Sequence, residues 1–352
     1  MPWRALHVHA GLRLIYRTRG HMLRHSSTSA NPSVTQHQVD NQNSQLNRPS
    51  YNPNDETSLS DLGHQLVSDY AHLRAEYEAP KHPIVLAHGL LGFDELRLLP
   101  GNLVPGIAYW RGIREAYQLH GIQCITTAVP RTASIPERAQ VLMDQIASKL
   151  PTHEGGRGRE VNIIAHSMGG LDARYMISRL CPSPSRFRVR SLTTIATPHR
   201  GSSAADMLFR DIGPDLLPHI YRLLSRFKID YGAFSQLTTP YMRDKFNRVV
   251  PNHPEVKYFS YGASATPHLF SVFRMSHDLM NVIEGPNDGL VSVRSAKWGE
   301  YRGTLVGVTH LDLINWTNRL KVAAGRLGLI EEKYNAQAFY LAVADGLAKE
   351  GF

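Results

Sequence analysis

The chain has 352 residues, room for two ordinary domains or one large α/β domain. With 42% hydrophobic and 20% charged residues it is neither wholly disordered, collagen-like nor membrane-embedded, and no apolar run approaches the ~18 residues of a membrane helix. Two cysteines, Cys124 and Cys181, exclude a disulfide framework and a CxxC-type zinc site, and fit a reducing compartment. A net charge of +9 would suit nucleic acid, but five basic residues and no acidic one fall in residues 1–39, so the basicity is largely a leader and no nucleic-acid partner is inferred.

That leader carries Arg4, Arg13, Arg17, Arg19 and Arg24 and ends in a run of Ser and Thr, the composition of a mitochondrial transit peptide. A basic tail without an address is the first alternative. A secretory signal is the second, and His7, His9 and Arg13 interrupt the apolar region it would need. Residues 40–60 read as a polar linker. Leu62, Leu66, Tyr70 and Leu73 recur at helical spacing and predict a short amphipathic helix ahead of a body that starts near Pro83.

Within the body, short apolar runs predict strands at 84–87, 122–129, 161–165, 191–197, 256–261 and 304–308. Helical patterns lie between them. One carries Tyr109, Trp110, Ile113 and Tyr117; another carries Ala139, Leu142, Ile146 and Leu150, behind a capping box from Ser134 to Glu137. Strands alternating with helices predict an α/β fold: a mostly parallel sheet with helices on both faces. Residues from 202 to about 252 interrupt the alternation with a largely helical insertion. A terminal helix places Phe339, Tyr340, Val343 and Leu347 on one side.

The segment from Glu160 to Gly170 reads strand, tight turn, helix, with Ser167 at the turn and small residues, Ala165 and Gly169, two positions to either side. That is the context of a nucleophile elbow, although Ala165 stands where the usual pattern has glycine. A serine capping a helix is the alternative. A serine hydroxyl needs a base, and in this architecture the partners follow in the order Ser, acid, His. Asp288 lies in a turn-rich loop, and His310 is the only histidine after it. His166 adjoins the serine and must point elsewhere, and His199 precedes the acid, so both read as structural. Two backbone amides are needed for the oxyanion of a tetrahedral intermediate. Met168 supplies one, and Leu90, in His88-Gly89-Leu90-Leu91-Gly92, is the candidate for the other.

Together these residues resemble the lipases of the α/β-hydrolase superfamily, of the Pseudomonas and Burkholderia type, with a mitochondrial triacylglycerol lipase of yeast as fungal relative. The resemblance spans about residues 83–320 and rests on seven blocks in order. They begin at His88, Tyr109, Ala165, Thr197, Tyr258, Asn287 and His310. It implies a hydrolase domain over 61–352 with a helical lid at about 202–252, a triad of Ser167, Asp288 and His310, and an oxyanion hole at Leu90 and Met168. The implied substrate is acylglycerol, tri- or diacyl, met at a lipid–water interface such as a membrane or droplet surface. A phospholipase or lipid acyltransferase is the nearest alternative, and a non-catalytic lipid-binding scaffold the next. The bacterial relatives hold a calcium ion near the catalytic histidine. Asp312 matches one ligand, no carboxylate near His268 matches the second, and Asp278 is about ten residues late, so no metal or other cofactor is expected. Arg294 stands where those relatives have a disulfide cysteine. The lid stripe would be Leu216, Leu217, Ile220, Leu223, Leu224 and Phe227.

Overall fold

The computed structural model describes residues 62–90, 109–131, 133–150, 159–180, 186–210, 231–266, 273–315 and 334–352. The presumed transit peptide, the polar linker and the apolar stripe from Leu216 to Phe227 lie outside them.

Seven strands form one sheet: β1 (Gln65–Leu66), β2 (Ile84–Ala87), β3 (Cys124–Thr126), β4 (Glu160–His166), β5 (Arg188–Ile195), β6 (Lys257–Ser264) and β7 (Glu300–Val306). Their spatial order is β1-β7-β6-β5-β4-β2-β3, and every pairing is parallel. Six of the seven residues of β4 are buried, as a strand covered on both faces requires. Alternation along β2 divides the core. Ile84 and Leu86 join Ile113, Tyr117, Phe339 and Tyr340 on one face, and Val85 and Ala87 join Ala139, Leu142, Ile146 and Ile177 on the other.

The helices that fill those faces are α1 (Ile113–Leu119), α2 (Ile135–Lys149), α3 (Gly169–Tyr175) and, at the C-terminus, α8 (Ala336–Lys349). The capping box at α2 forms as the sequence predicts: Ser134 N donates to Glu137 Oε2 at 2.9 Å, and Glu137 N donates to Ser134 Oγ. Between β5 and β6 run α4 (Ser203–Arg210), α5 (Tyr231–Ser235) and helical turns over 239–249. Their apolar residues Ala205, Ala233, Leu237, Met242, Phe246 and Val250 cluster with Met168 and Leu171 of the elbow. α6 (Arg274–Ile283) and α7 (Val293–Ala296) flank the loop carrying Asp288.

The helix expected over Leu62 to Leu73 does not form. Gly63 and Ser68 adopt left-handed φ angles of 64° and 63°, which end a right-handed helix. The backbone pairs instead with the sheet edge, Gln65 opposite Thr304 and Leu66 opposite Leu305. Burial of Leu66 therefore reflects an edge strand, and Leu62, buried just before it, accepts from Thr304 Oγ1 through its carbonyl. The strand expected over 122–129 is shorter, Cys124–Thr126, because Val129 N turns away to donate to His88 Nε2 at 3.0 Å.

Candidate active site

The sheet ends at Ser167. Its N–H still donates to Ile195 O of the neighbouring strand at 2.9 Å, and its φ is then 55°, a left-handed value that L residues rarely adopt. Such strain is held only where the surroundings over-determine it. Here they do so by close packing. A Cβ on Gly169 would stand 2.6 Å from Ala87 O, and one on Gly170 would stand 2.2 Å from Thr197 Oγ1. Gly89 is required for the same reason: a Cβ there would lie 2.7 Å from Ser167 Cβ and 3.2 Å from Ser167 Oγ. The glycine thus serves close approach to the serine.

Asp288 and His310 arrive on two loops, after α6 and after β7. Asp288 is fully buried and His310 nearly so. Asp288 Oδ1 accepts hydrogen bonds from Leu290 N at 3.0 Å and Val291 N at 2.8 Å. Its Oδ2 lies 2.7 Å from His310 Nδ1, and His310 N donates to Asp288 O at 3.0 Å. A carboxylate accepts, so Nδ1 carries the proton and Nε2 is the ring's acceptor nitrogen. The His310 ring packs 4.5 Å, centroid to centroid, from that of His166, the neighbour of Ser167. The structure therefore brings all three expected residues to the C-terminal ends of the strands, where open α/β sheets bind ligands. Asn287 braces the acid's loop, its side chain donating to Gly285 O at 3.1 Å and accepting from Gly289 N at 2.9 Å.

The other two histidines are held by bonds. Arg174 Nη1 donates to His199 Nδ1 at 3.3 Å, so His199 Nε2 is the nitrogen that donates to Thr194 Oγ1 at 3.0 Å. Burial, aided by Arg174 and Arg200, drives this imidazole well below its ordinary pKa. His166 Nδ1 lies 2.6 Å from Tyr109 Oη, and burial likewise keeps His166 neutral, with His310 adding to the effect.

The second oxyanion candidate, Leu90, is half-buried at the end of its described segment. Met168, as the N-cap of α3, has an N–H with no acceptor in the helix. Three groups fix the turn before Leu90, and Arg138 contributes most. This fully buried side chain donates from Nη2 to His88 O at 3.0 Å and Gly89 O at 3.2 Å, and from Nη1 to Pro130 O at 2.7 Å. Its charge is met by Asp172 on α3, with Nε to Oδ2 at 2.9 Å and Nη2 to Oδ2 at 2.7 Å. Burial pushes the Asp172 carboxyl up to about 6 against the pull of Arg138. Tyr109 Oη accepts from Gly89 N at 3.1 Å. His88, whose pKa burial lowers to about 4, completes the turn through its bond from Val129 N.

Arg138 is the residue that sequence reasoning missed. A signal was present: it lies on the same helical stripe as Ile135, Ala139, Leu142 and Ile146, and a charge on an apolar stripe must find a buried partner. Asp312 Oδ2 accepts from Thr309 N at 3.0 Å and Thr309 Oγ1 at 2.7 Å. Asp278 is engaged by Arg274 at 2.7 Å. Among the described residues, no three His, Cys, Asp or Glu side chains converge as a metal site would require. Cys124, half-buried in β3, has its thiol pushed up to about 12 by burial.

A parallel sheet, a serine on a left-handed turn between strand and helix, and a buried Asp–His pair beyond the strand ends define an α/β-hydrolase. Solved structures agree on that fold. The Staphylococcus hyicus lipase superposes with a TM-score of 0.55 at 20% identity, covering 78% of this chain and 98% of that one. The mature Bacillus licheniformis lipase BlEst2 gives 0.53 at 20% identity, covering 74% and 97%. No protein-family profile matches. Among curated proteins, Triacylglycerol lipase 2 of Saccharomyces cerevisiae is 39% identical over 82% of this chain and 97% of its own. The Triacylglycerol lipase of Vibrio cholerae is 29% identical over 71% and 84%. The chain belongs to the triacylglycerol lipase family, an enzyme family of lipid-ester hydrolysis.

Proposed function

We propose that the protein hydrolyses triacylglycerol and diacylglycerol through an acyl-enzyme on Ser167. His310 Nε2 takes the hydroxyl proton as Ser167 Oγ bonds to the ester carbonyl carbon. The carbonyl oxygen becomes an oxyanion held by the N–H groups of Leu90 and Met168. Collapse breaks the acyl C–O bond, and His310 returns the proton to the departing glycerol oxygen. Water then repeats the sequence on the acyl-enzyme: His310 takes its proton, the fatty acid leaves and Ser167 regains its hydrogen. Asp288 holds the tautomer throughout.

The observation that carries this reading is the buried 2.7 Å contact of Asp288 with His310 Nδ1, beside a serine held at a left-handed φ. We read the reaction as needing no metal, since Asp312, the matching calcium ligand, is committed to Thr309. Residues 1–39 we assign to mitochondrial import on their acid-free, Arg-rich composition. The substrate is met at a lipid–water interface, with the 202–252 insertion as lid.

The deciding experiment offers the purified enzyme emulsions of triacylglycerol, diacylglycerol and phospholipid side by side and measures released fatty acid. Acylglycerol is the preferred substrate. Release from phospholipid alone, or acyl transfer to an alcohol in preference to water, overturns the assignment. A reporter fused to residues 1–39 tests the address, which fails if the reporter stays in the cytosol.

A further inference from the structure

Helix α6 (Arg274–Ile283) presents two different faces. Inward, His277 and Met280 are buried. Outward, Met275, Val282 and Ile283 are 72%, 60% and 46% exposed, and Leu279 between them is half-buried. Steps of four, three and one place these four on one stripe. The other exposed large apolar residues among the described ones, Val67, Leu73, Leu119 and Val249, are spread over other segments. Single exposed apolar residues are ordinary, whereas a row of them on one helix marks a surface that meets something apolar.

The helix is tied to the loop of the acid. Ser276 Oγ donates to Gly289 O at 2.6 Å, Asn287 Nδ2 donates to His277 O at 3.3 Å, and Gly285 N donates to Met280 O at 3.2 Å. Four residues separate Ile283 from Asp288. Charge on this face is internally cancelled: Arg274 and Asp278 pair at 2.7 Å. Glu284, just past the helix, turns inward to accept from Ser203 N at 2.6 Å and from Ser292 Oγ. An apolar stripe without net charge suits an uncharged surface and gains nothing from anionic lipid, which rewards unpaired Lys and Arg.

We propose that the outward stripe of α6 is where the enzyme seats on the surface of an uncharged acylglycerol phase, next to the loop that carries Asp288. The inference rests on the proposed substrate class and adds the docking surface. The stripe lies on α6, outside the 202–252 insertion, although Glu284 at the end of the helix holds Ser203 N at the start of that insertion.

The test separates adsorption from catalysis. Ser167→Ala protein is centrifuged with triolein emulsion, with phosphatidylcholine vesicles and with vesicles containing phosphatidylglycerol. The same is done after adding Met275→Ser, Val282→Ser and Ile283→Ser together, and after Met275→Asp alone. The stripe variants bind triolein roughly tenfold or more weakly, and phosphatidylglycerol does not restore binding. With Ser167 intact, the same variants keep turnover of a dissolved short-chain ester within about twofold and elute at the same size. Unchanged adsorption overturns the proposal. So does a parallel loss of dissolved-ester turnover, which makes the stripe an internal packing face, or a change of oligomeric state, which makes it an interface between copies. If Met275→Asp alone leaves adsorption intact while the triple variant unfolds, the proposal also fails. Wild type that adsorbs to triolein without hydrolysing it would sink the substrate assignment and leave this surface standing.

Discussion

The two halves of the site are built by different means. Ser167 is set by regular structure: β4 ends beneath it, α3 starts after it, and glycines at 89, 169 and 170 allow backbone and side chains to close in. Asp288 and His310 are set by loops whose hydrogen bonds run among themselves, Leu290 and Val291 to the carboxylate and Asn287 across the turn. The first half tolerates no added volume, and the second no lost hydrogen bond. Arg138 adds a tie within the first half, joining α2, α3 and the turn before Leu90 through one buried side chain.

The largest effect tests whether the halves act as one unit. Ser167→Ala, Asp288→Asn and His310→Ala should each lower turnover by roughly 10⁴ to 10⁶-fold with the fold retained. A Ser167 and His310 double variant should be little worse than either alone. A fluorophosphonate probe that still labels Ser167→Ala, or effects that multiply, would break the assignment.

Next comes the brace. Arg138→Met leaves Asp172 buried without its cation, and loss of one partner of a buried pair costs about 3–5 kcal/mol. Adding Asp172→Leu removes the orphaned charge and should recover much of that stability in urea unfolding. Turnover should not recover with it, because His88 O and Gly89 O still lack the guanidinium that holds the turn. If the double variant regains both, Arg138 is packing alone.

How much of this was legible follows the same division. The elbow was read from Glu160 to Gly170 because strand, turn and helix each leave a local pattern, and chain order then singled out Asp288 and His310. Arg138 was not read, because its partners are 34 residues ahead and about 50 behind, and no local spacing encodes them. The edge strand at Gln65 was misread as helix because Leu62 and Leu66 satisfy the helical period by accident. The positive φ at Ser68 is unannounced by its residue type.

A further effect bears on the first half through pH, spread over three side chains. His88, His166 and His199 are buried and neutral, with pKa values lowered to about 4 for His88 and well below the ordinary value for the others. The unfolded chain takes up protons near pH 6.5 and the folded chain does not. The stability they confer is therefore complete above about 6.5 and is lost as pH falls toward 4, at about 1.4 kcal/mol per pH unit for each imidazole. Urea unfolding at pH 7.5, 6 and 5 should show that fall, and His199→Gln should make it shallower. A flat profile would mean that these rings are protonated in the fold.

The smallest expected effect, close to none, belongs to metal removal and sharpens the reading of the second half. In the bacterial relatives that the sequence resembles, calcium steadies the loop of the catalytic histidine. Here Asp312 Oδ2 accepts from Thr309 N and Thr309 Oγ1, closing the turn that holds His310. His310 N is itself fastened to Asp288 O at 3.0 Å. Two hydrogen bonds from Thr309 thus fall on Oδ2 alone, and Ca²⁺ demands six to eight oxygen ligands, more than this turn supplies. Prolonged treatment with a chelator should leave turnover and unfolding within about twofold and a few tenths of a kcal/mol. Asp312→Ala should cost more than the chelator, because it frees Thr309 and loosens the turn beside His310. If the chelator abolishes activity and added Ca²⁺ restores it, the order of those two effects reverses, and the turn at Asp312 is a metal ligand loop after all.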